Sequence, residues 1–289
     1  MPHVEPPAST MGISVLRRLV SRRSLILGYH GVAKVSARED MFRLLVSPTQ
    51  FATHIELVRS AGFRFITVAE LAEKLGTNGP PPGLAAVSFD DGLRDNYTTA
   101  LPILRTYGIP ATVYVSVGFI GGQNPWIGPG PPGEMLSEEE ICALVAEGWE
   151  IGAHTMTHAD LSALDYARCK SEIERSRDAL EGITGQSIRT FAYPFGRYGP
   201  AAVAAAQEVG FRAAVTTGSG SWARFELTRA MMSAGDPLPV TLLKMADRYE
   251  PLFGAPAMRM VRQASKSIRI AIRGRSLGHD TSSARPPAH

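Results

Sequence analysis

Two adjacent carboxylates follow an uncharged apolar run. Residues 85–89 have the pattern of a strand buried on both faces, and Asp90, Asp91 and Gly92 come directly after them. A turn that begins at Asp90 can direct both acids into one cleft, although an Asp-Asp-Gly turn can also merely cap the helix that follows. Two anions at this spacing repel each other unless a cation or a proton lies between them. The pair therefore suits a metal ligand beside a general base.

Two histidines follow a second strand-like run. His154 and His158 come after residues 149–153, and their spacing lets both imidazoles reach one cation. A lone buried histidine is usually a hydrogen-bonded core residue, but such a pair after a strand is less often so. Together with Asp91 the pair makes a set of two histidines and one carboxylate. Such a set leaves coordination positions open for water and substrate, as catalytic zinc and iron sites require.

A third strand-like run, residues 25–28, ends close to His30. A histidine at this place can be purely structural, but its position matches those of Asp90 and His154. Because the carboxyl ends of the strands in a (β/α) barrel meet at one face, we expect His30 to join the same site.

Strand-like and helical patterns alternate along the chain. About seven strands can be counted, and the residues with chemical potential stand at their carboxyl ends. This layout predicts an α/β fold, a distorted TIM-like (β/α)7 barrel rather than a closed barrel of eight strands. The segment 118–134, rich in glycine, proline and aromatic residues, is expected to line or cover the cleft.

The composition is ordinary for a globular protein. The 289 residues are 44% apolar and 20% charged, and the net charge of +3 comes from basic residues near both ends. The central part is mildly acidic, which argues against a nucleic-acid partner. Cys142 and Cys169 lack CxxC spacing and indicate a reducing compartment, so we expect a cytoplasmic protein that can also lie at the inner face of the membrane.

The two ends of the chain differ from its centre. Arginine pairs interrupt the apolar residues near the amino end, so neither a secretory signal nor a membrane span is predicted. We expect residues 1–23 to be a disordered and then basic amphipathic segment, 24–255 to be the barrel and 256–289 to be a basic amphipathic and disordered tail. Such termini suit peripheral contact with an anionic membrane or a partner, and a solvated tail is the alternative.

The residues at the strand ends resemble the polysaccharide deacetylase family (carbohydrate esterase family four, the NodB-homology group). Residues 88–92 (Ser-Phe-Asp-Asp-Gly) match its first motif and residues 154–158 (His-Thr-x-x-His) its second. Residues 193–196 (Tyr-Pro-Phe-Gly) resemble the third, which forms a wall of the substrate groove. Tyr29-His30 and residues 47–51 (Ser-Pro-x-x-Phe) resemble the branch that carries a histidine motif at its amino end, as in deacetylases of bacterial poly-N-acetylglucosamine.

The resemblance, which covers residues 25–235, implies a distorted (β/α) barrel, a divalent metal that is commonly zinc, and removal of N-acetyl groups from aminosugars. It implies that Asp91, His154 and His158 are metal ligands, that Asp90 is the general base and that His30 is the general acid.

The sequence departs from the family pattern in three places. Ala192 stands where the third motif has an arginine, and Arg229 is the candidate replacement that orients Asp90. The fourth motif is not recognisable, and no late Leu-x-x-His supplies the acid, so His30 has to replace it. The predicted substrate contacts are therefore side chains of the third motif and two tryptophans: Tyr193, Pro194, Phe195, Trp126 and Trp222.

We therefore expect a metal-dependent hydrolase that acts on an N-acetylhexosamine-containing polysaccharide, oligosaccharide or glycolipid. One alternative is a hydrolase of another non-peptide amide in a small molecule, and another is a non-catalytic membrane-associated binding protein. A phosphatase of the Asp-x-Asp type is disfavoured because Asp90 and Asp91 are adjacent.

Overall fold

The computed structural model describes residues 10–20, 23–36, 39–40, 42–127, 130–218 and 221–249. The tail predicted at 256–289 and the first nine residues lie outside this part of the chain.

Parallel strands and surrounding helices make up the structure. The strands are β1 Leu25–Tyr29, β2 Gly31–Val32, β3 Leu45–Val46, β4 Arg64–Phe65, β5 Leu84–Phe89, β6 Thr112–Val115, β7 Glu150–Ala153, β8 Thr190–Ala192, β9 Ala213–Val215 and β10 Ala230–Met231. The α-helices are α1 Thr10–Val20, α2 Pro48–Ser60, α3 Val68–Glu73, α4 Leu101–Arg105, α5 Glu138–Ala146, α6 Tyr166–Thr184, α7 Pro200–Val209 and α8 Leu238–Met245, and a π-helix, Asn96–Ala100, precedes α4.

One parallel sheet curls through the molecule. Its strand order is β10-β1-β5-β6-β7-β8-β9, and the short β4 pairs with the amino end of β5. Leu227, which lies just before the outer strand β10, forms a parallel bridge with Val215 of the other outer strand, β9. This contact brings the two edges of the sheet together and bends the sheet towards closure. This arrangement confirms the predicted distorted (β/α)7 barrel.

Side chains alternate between the inside of the barrel and the helical layer, because successive residues of a strand point to opposite faces. In β8, Ala192 belongs to the interior cluster, whereas Phe191 and the following Tyr193 belong to the cluster beneath the helices. The interior has room for one large ring, Tyr114, because Gly152 opposite it lacks a side chain. A Cβ at Gly152 would lie 2.4 Å from that ring.

The amino end of the barrel is closed by the start of α3 and a buried carboxylate. Glu150 accepts hydrogen bonds from the Ala69 amide at 2.8 Å, from Thr112 Oγ1 at 2.8 Å and from Thr190 Oγ1 at 2.5 Å. Burial raises the pKa of this carboxyl, although these hydrogen bonds oppose the rise. Both carboxylate oxygens are thus occupied by neutral donors from neighbouring elements.

Local capping signals account for the helices that the sequence predicted. Ser47 caps α2 at a first-turn proline, and Ser137 with Glu140 forms the capping box of α5. Strand β4 consists only of Arg64–Phe65. It ends early because Thr67 and Glu70 form a second capping box, which begins α3.

The amino-terminal helix α1 packs on the barrel. Leu16 and Val20 are buried in the main core against α2 and α8, whereas Val15 and Leu19 remain partly exposed. The apolar residues that suggested a membrane-binding segment therefore serve partly in internal packing. No helix in the described part of the chain has the length and apolar character to cross a membrane.

Candidate active site

The predicted site residues stand at the carboxyl ends of three strands. Asp90 and Asp91 follow β5, His30 follows the neighbouring β1, and His154 follows β7. Asp91 has a φ of 72°, a left-handed conformation that non-glycine residues rarely adopt, and Gly92 continues the same turn with a φ of 86°. This sharp turn lets two consecutive acids face one cleft instead of opposite sides of the sheet.

Asp91, His154 and His158 converge. Asp91 Oδ1 lies 3.6 Å from His154 Nε2 and 3.4 Å from His158 Nε2, and one ligand atom from each residue lies within 4.8 Å of the others. The two distances from Asp91 Oδ1 are close to the ligand–ligand edge of ~3.3–3.4 Å in a tetrahedron with bonds of ~2.0–2.1 Å. All three residues are buried, which is the arrangement expected of a metal site.

The surrounding hydrogen bonds leave the metal-facing atoms free. Asp91 Oδ2 accepts from Asn124 Nδ2 at 3.2 Å and from Trp126 Nε1 at 3.1 Å, whereas Oδ1 finds no donor among the described residues. His154 Nδ1 lies 2.8 Å from the Ala192 carbonyl, which can only accept, so the proton is on Nδ1 and the lone pair is on Nε2. A buried acceptor without a donor, beside the lone pair of His154 and a nitrogen of the second imidazole, fits a divalent cation.

The protonation states also suit a cation. Burial would raise the pKa of Asp91, but the two imidazoles close to its carboxylate and the nearby positive charge hold it well below its usual range. Burial lowers the pKa of His158, which therefore stays neutral. Burial would also lower the pKa of His154, but the neighbouring carboxylates of Asp91 and Asp90 raise it.

Asp90 is held by Arg229. The guanidinium donates from Nη1 to Oδ1 at 2.6 Å and from Nη2 to Oδ2 at 2.7 Å, and both side chains are buried. Arg229 is fixed in turn by the Thr216 carbonyl, 3.1 Å from Nε, and lies over the ring of Tyr114. Burial would raise the pKa of Asp90, but the charge of Arg229 lowers it below its usual value, so Asp90 is a carboxylate.

His30 lies near both acids: after the larger contributions of Arg229 at Asp90 and of the two other histidines at Asp91, a positive charge on its ring would further lower the pKa of each acid. Its backbone carbonyl accepts from Asn96 Nδ2 at 3.0 Å, and the same amide group donates to Asp95 Oδ1 at 3.0 Å. Asp95 is buried, and burial raises its pKa to about 7. Asn96 thus ties the π-helix that follows β5 to the turn that follows β1.

Comparisons with known proteins agree with this geometry. Residues 77–214 match the family model described as polysaccharide deacetylase. Residues 77–214 therefore correspond to a polysaccharide deacetylase domain. The match begins before β5 and ends in β9, so it contains Asp90, Asp91, His154 and His158 but not His30 or Arg229.

Individual relatives extend the likeness beyond those residues. YxkH of Bacillus subtilis is 28% identical over 215 residues, which cover 73% of this chain and 71% of that protein. The poly-beta-1,6-N-acetyl-D-glucosamine N-deacetylase of Staphylococcus aureus is 27% identical over 192 residues, and the match spans 60% of this chain and 64% of that enzyme. The structure of the Streptococcus pyogenes deacetylase PplD in complex with acetate is 26% identical, with a TM-score of 0.66, and the match covers 76% of this chain and 97% of that one.

Two aromatic rings flank His158 in the deacetylase domain. The Trp126 ring centroid lies 4.2 Å from that of His158, and the Phe195 ring meets His158 edge-on at 4.6 Å. Phe195 has a φ of 59° and is 56% exposed, so its ring stands open to a ligand. Phe195 follows the buried Pro194. The backbone N–H of Phe195 has no hydrogen-bond acceptor within the described ranges.

Two of the residues predicted to contact substrate, Tyr193 and Trp222, do not lie at the site. Tyr193 is fully buried because the alternation along β8 turns it outward into the helical layer, where its ring stacks on Tyr198. Trp222 lies at the opposite end of the barrel, where its ring packs on Gly79 in the loop before β5 and on the interior cluster that contains Leu84.

The sequence did not predict Asn124 and Asn96 as site residues, and it predicted Trp126 as a substrate contact rather than as a donor to Asp91. Asn124 and the indole N–H of Trp126 bind Asp91, and Asn96 binds the His30 backbone. The length and composition of the loop at 118–134 indicated a functional segment, but no spacing within it marked Asn124. For Asn96 the sequence offered only its proximity to the Asp-Asp turn.

Proposed function

We propose that this protein is a metal-dependent hydrolase that removes N-acetyl groups from an N-acetylhexosamine-containing polysaccharide, oligosaccharide or glycolipid. One observation carries the proposal. Asp91 Oδ1, buried and without a donor among the described residues, lies between two histidine Nε2 atoms, while the adjacent Asp90 is held separately by Arg229. One acid is thus available to a cation and the other to a proton.

Asp91, His154 and His158 would hold the cation, for which zinc is the best candidate by donor type. When bound, such a cation lowers the pKa of water towards ~7 and polarises a carbonyl group. The hydrogen bonds from Asn124 and Trp126 fix Asp91, and the Ala192 carbonyl fixes the ring of His154, so the ligands are oriented before substrate arrives.

Asp90 acts as the general base. Its carboxylate is not needed as a ligand, and Arg229 keeps it ionised and in one orientation. A depressed pKa makes a weaker base, so orientation rather than basicity is its main contribution; a positioned base typically supplies ~10²–10⁴-fold. His30, on the neighbouring strand, donates the proton that the departing amine requires.

The exposed rim of the site supplies the remaining contacts. The free N–H of Phe195 can donate to the oxygen that gains charge when the acetamide carbonyl is attacked. The rings of Phe195 and Trp126 on either side of His158 offer apolar faces to a sugar or to the acetyl methyl group.

The choice of substrate rests on the relatives. The Staphylococcus aureus enzyme is named for a polymer of N-acetylglucosamine, and the Streptococcus pyogenes deacetylase holds acetate, the product of such a reaction. The present chain spans 64% of the length of the staphylococcal enzyme, so its substrate is part of the proposal.

Acetate release from N-acetylglucosamine oligomers and N-acetylated glycolipids tests the proposal. We expect release that stops with a chelator and returns with Zn²⁺. Asp90→Asn is expected to abolish turnover while metal binding is retained, and His30→Ala to reduce turnover severely. Loss of metal from Asp90→Asn would reverse the roles of the two acids, and normal turnover by His30→Ala would remove this histidine from the mechanism.

A further inference from the structure

The loop that carries both histidine ligands has an unfavourable backbone. Within the ligand loop, residues 154–158, Thr155 has a φ of 64° and His158 a φ of 57°. Left-handed backbone is disfavoured for any residue with a Cβ, and most strongly for a β-branched one such as Thr155. The loop therefore needs contacts with its surroundings that keep it in this conformation.

One side of the ligand loop is held through its carbonyl groups. The exit of β6 supplies three donors: Ser116 Oγ to the His154 carbonyl at 3.3 Å, the Val117 amide to Thr155 at 3.3 Å and the Gly118 amide to Met156 at 2.8 Å. The approach is close, because a Cβ at Gly118 would lie 2.7 Å from the Met156 carbonyl oxygen.

The other side is held through its N–H groups by a single carboxylate. Glu172 Oε2 accepts from the amides of Met156 at 3.1 Å and Thr157 at 2.9 Å, and Oε1 accepts from Thr157 Oγ1 at 3.1 Å. Glu172 belongs to α6, and the face of this helix that carries it meets the ligand loop.

We propose that Glu172 is a positioning residue that holds the ligand loop in the conformation that presents His154 and His158 to a divalent cation. This inference rests on the metal site of the proposed function. Glu172 touches neither the cation ligands themselves nor the reacting atoms. It acts through the backbone between the two histidines, and α6 anchors it through the buried neighbours Cys169, Ile173 and Ser176.

Because of where Glu172 lies, its removal is expected to weaken metal binding without unfolding the protein. Glu172 is half-buried at the edge of the core and Thr157 is exposed, so water can bond the loop amides once the carboxylate is removed. The fold then persists, but the loop relaxes from its left-handed conformation and the histidines lose their fixed spacing. The loss therefore appears in metal affinity.

The test compares Glu172→Ala with Glu174→Ala, a matched change two residues further along the same helix that touches neither the ligand loop nor the site. Zn²⁺ affinity of the full chain is measured by competition with a chromophoric chelator. We expect Glu172→Ala to bind Zn²⁺ about 10–100-fold more weakly, the range seen when groups that orient metal ligands are lost. Glu174→Ala is expected to bind Zn²⁺ as the unaltered chain does.

Glu172→Gln keeps the test meaningful if the alanine variant folds poorly. Its amide oxygen can still accept from the Met156 and Thr157 amides, so we expect an affinity between those of the unaltered chain and Glu172→Ala. In excess chelator the melting temperatures of Glu172→Ala and Glu174→Ala should agree. Equal Zn²⁺ affinity in all three variants overturns the proposal, and so does a Glu172→Ala variant that loses only metal-free stability.

Asp91→Asn distinguishes this failure from failure of the metal site. If Asp91→Asn binds Zn²⁺ normally, the metal site itself is wrong, and the role of Glu172 falls with it. If Asp91→Asn loses Zn²⁺ but Glu172→Ala does not, the site stands and only the positioning role of Glu172 is refuted.

Discussion

Each end of the barrel contains a buried carboxylate, and the two differ in how their oxygens are used. At the amino end, both oxygens of Glu150 accept hydrogen bonds from neutral donors on three elements. At the carboxyl end, Asp91 Oδ2 is satisfied by Asn124 and Trp126, but Oδ1 faces two histidines and no donor among the described residues. The first arrangement is complete without a ligand. The second becomes complete only with a cation.

The backbone shows the same contrast. Of the six non-glycine residues with a left-handed backbone in the described part of the chain, four stand in the turns that form the site: Asp91, Thr155, His158 and Phe195. Each such residue costs about 1–3 kcal/mol, and the cost is tolerated where it orients functional groups. The strands at the amino end, where Glu150 joins Thr112 and Thr190, are regular and have no such residue. Most of the left-handed residues therefore lie in the turns around the proposed site, where the hydrogen bonding of Asp91 is also incomplete.

The largest expected effect comes from removing the charge at the incomplete carboxylate. In Asp91→Asn the amide keeps an oxygen for Asn124 and Trp126 but is a poor cation ligand. We expect Zn²⁺ binding to be lost and acetate release to fall roughly a thousandfold or more, since a catalytic cation supplies several kcal/mol of charge stabilisation. Metal-free stability should change by no more than about 1 kcal/mol. A stable Zn²⁺ complex of Asp91→Asn would show that Asp91 is not a required metal ligand. The carboxylate at this end of the barrel would then serve the fold, as Glu150 does at the other end.

Arg229 offers the next test, because its pair with Asp90 gives the carboxyl end one fully satisfied carboxylate. Arg229→Met leaves Asp90 buried without its partner, and we expect the free energy of unfolding at pH 7 to fall by roughly 3–5 kcal/mol. In the unaltered chain the pKa of Asp90 is depressed, so the pair stabilises the fold above the ordinary aspartate pKa and this contribution is lost as pH falls through the depressed value.

In Arg229→Met the sign reverses. Burial without the arginine raises the pKa of Asp90, so the penalty is full at high pH and fades as pH falls through the raised value. Urea unfolding of Arg229→Met at several pH values between 5 and 8 measures this trend, and the double variant with Asp90→Asn is the control, since it has no charge to bury. A penalty in Arg229→Met that does not change with pH would exclude Asp90 as its source.

Substitution of Glu150 is expected to have a smaller effect, and this effect is on stability rather than on metal binding. Glu150→Ala leaves the Ala69 amide and two threonine hydroxyls at the amino end without their acceptor, and we expect a loss of about 2–3 kcal/mol in unfolding free energy. Glu150→Gln should be nearly neutral, because its oxygen and amide can replace both sets of bonds. Zn²⁺ affinity should be unchanged in both variants. Weaker Zn²⁺ binding by Glu150→Ala would show that the two ends are coupled.

The sequence predicts the identity of the site better than its surroundings. Asp90, Asp91, His154 and His30 each follow an apolar run, and parallel topology alone brings the carboxyl ends of such strands to one face. The helices with clear caps were also predictable, since Ser47 and Ser137 mark their starts locally. These signals depend on a few neighbouring residues, so one sequence is enough to read them.

The remaining features depend on the direction of single side chains or on the path of loops. Tyr193 points away from the site because β8 has only three residues, and its register decides which face the next residue takes. Asn124 and Trp126 reach Asp91 from a loop without periodicity. Arg229 was predicted as the partner of Asp90 only from the arginine that is missing at Ala192, because nothing local shows that its guanidinium reaches Asp90 from just before a two-residue strand. Each depends on tertiary placement that no local pattern encodes.

The smallest expected effect compares two aromatic residues that the sequence assigned to the same groove. Phe195 is exposed beside His158, so Phe195→Ala should raise KM for an N-acetylglucosamine oligomer about 3–10-fold, the equivalent of ~0.5–1.5 kcal/mol for an aromatic contact. Its melting temperature should scarcely change, because an exposed ring contributes little to burial. Trp222→Ala should do the reverse: its ring packs at the amino end, so stability should fall by about 1–2 kcal/mol while KM and kcat remain unchanged. If Trp222→Ala raised KM instead, substrate would have to reach the amino end, and the division of labour between the two ends of the barrel would be wrong.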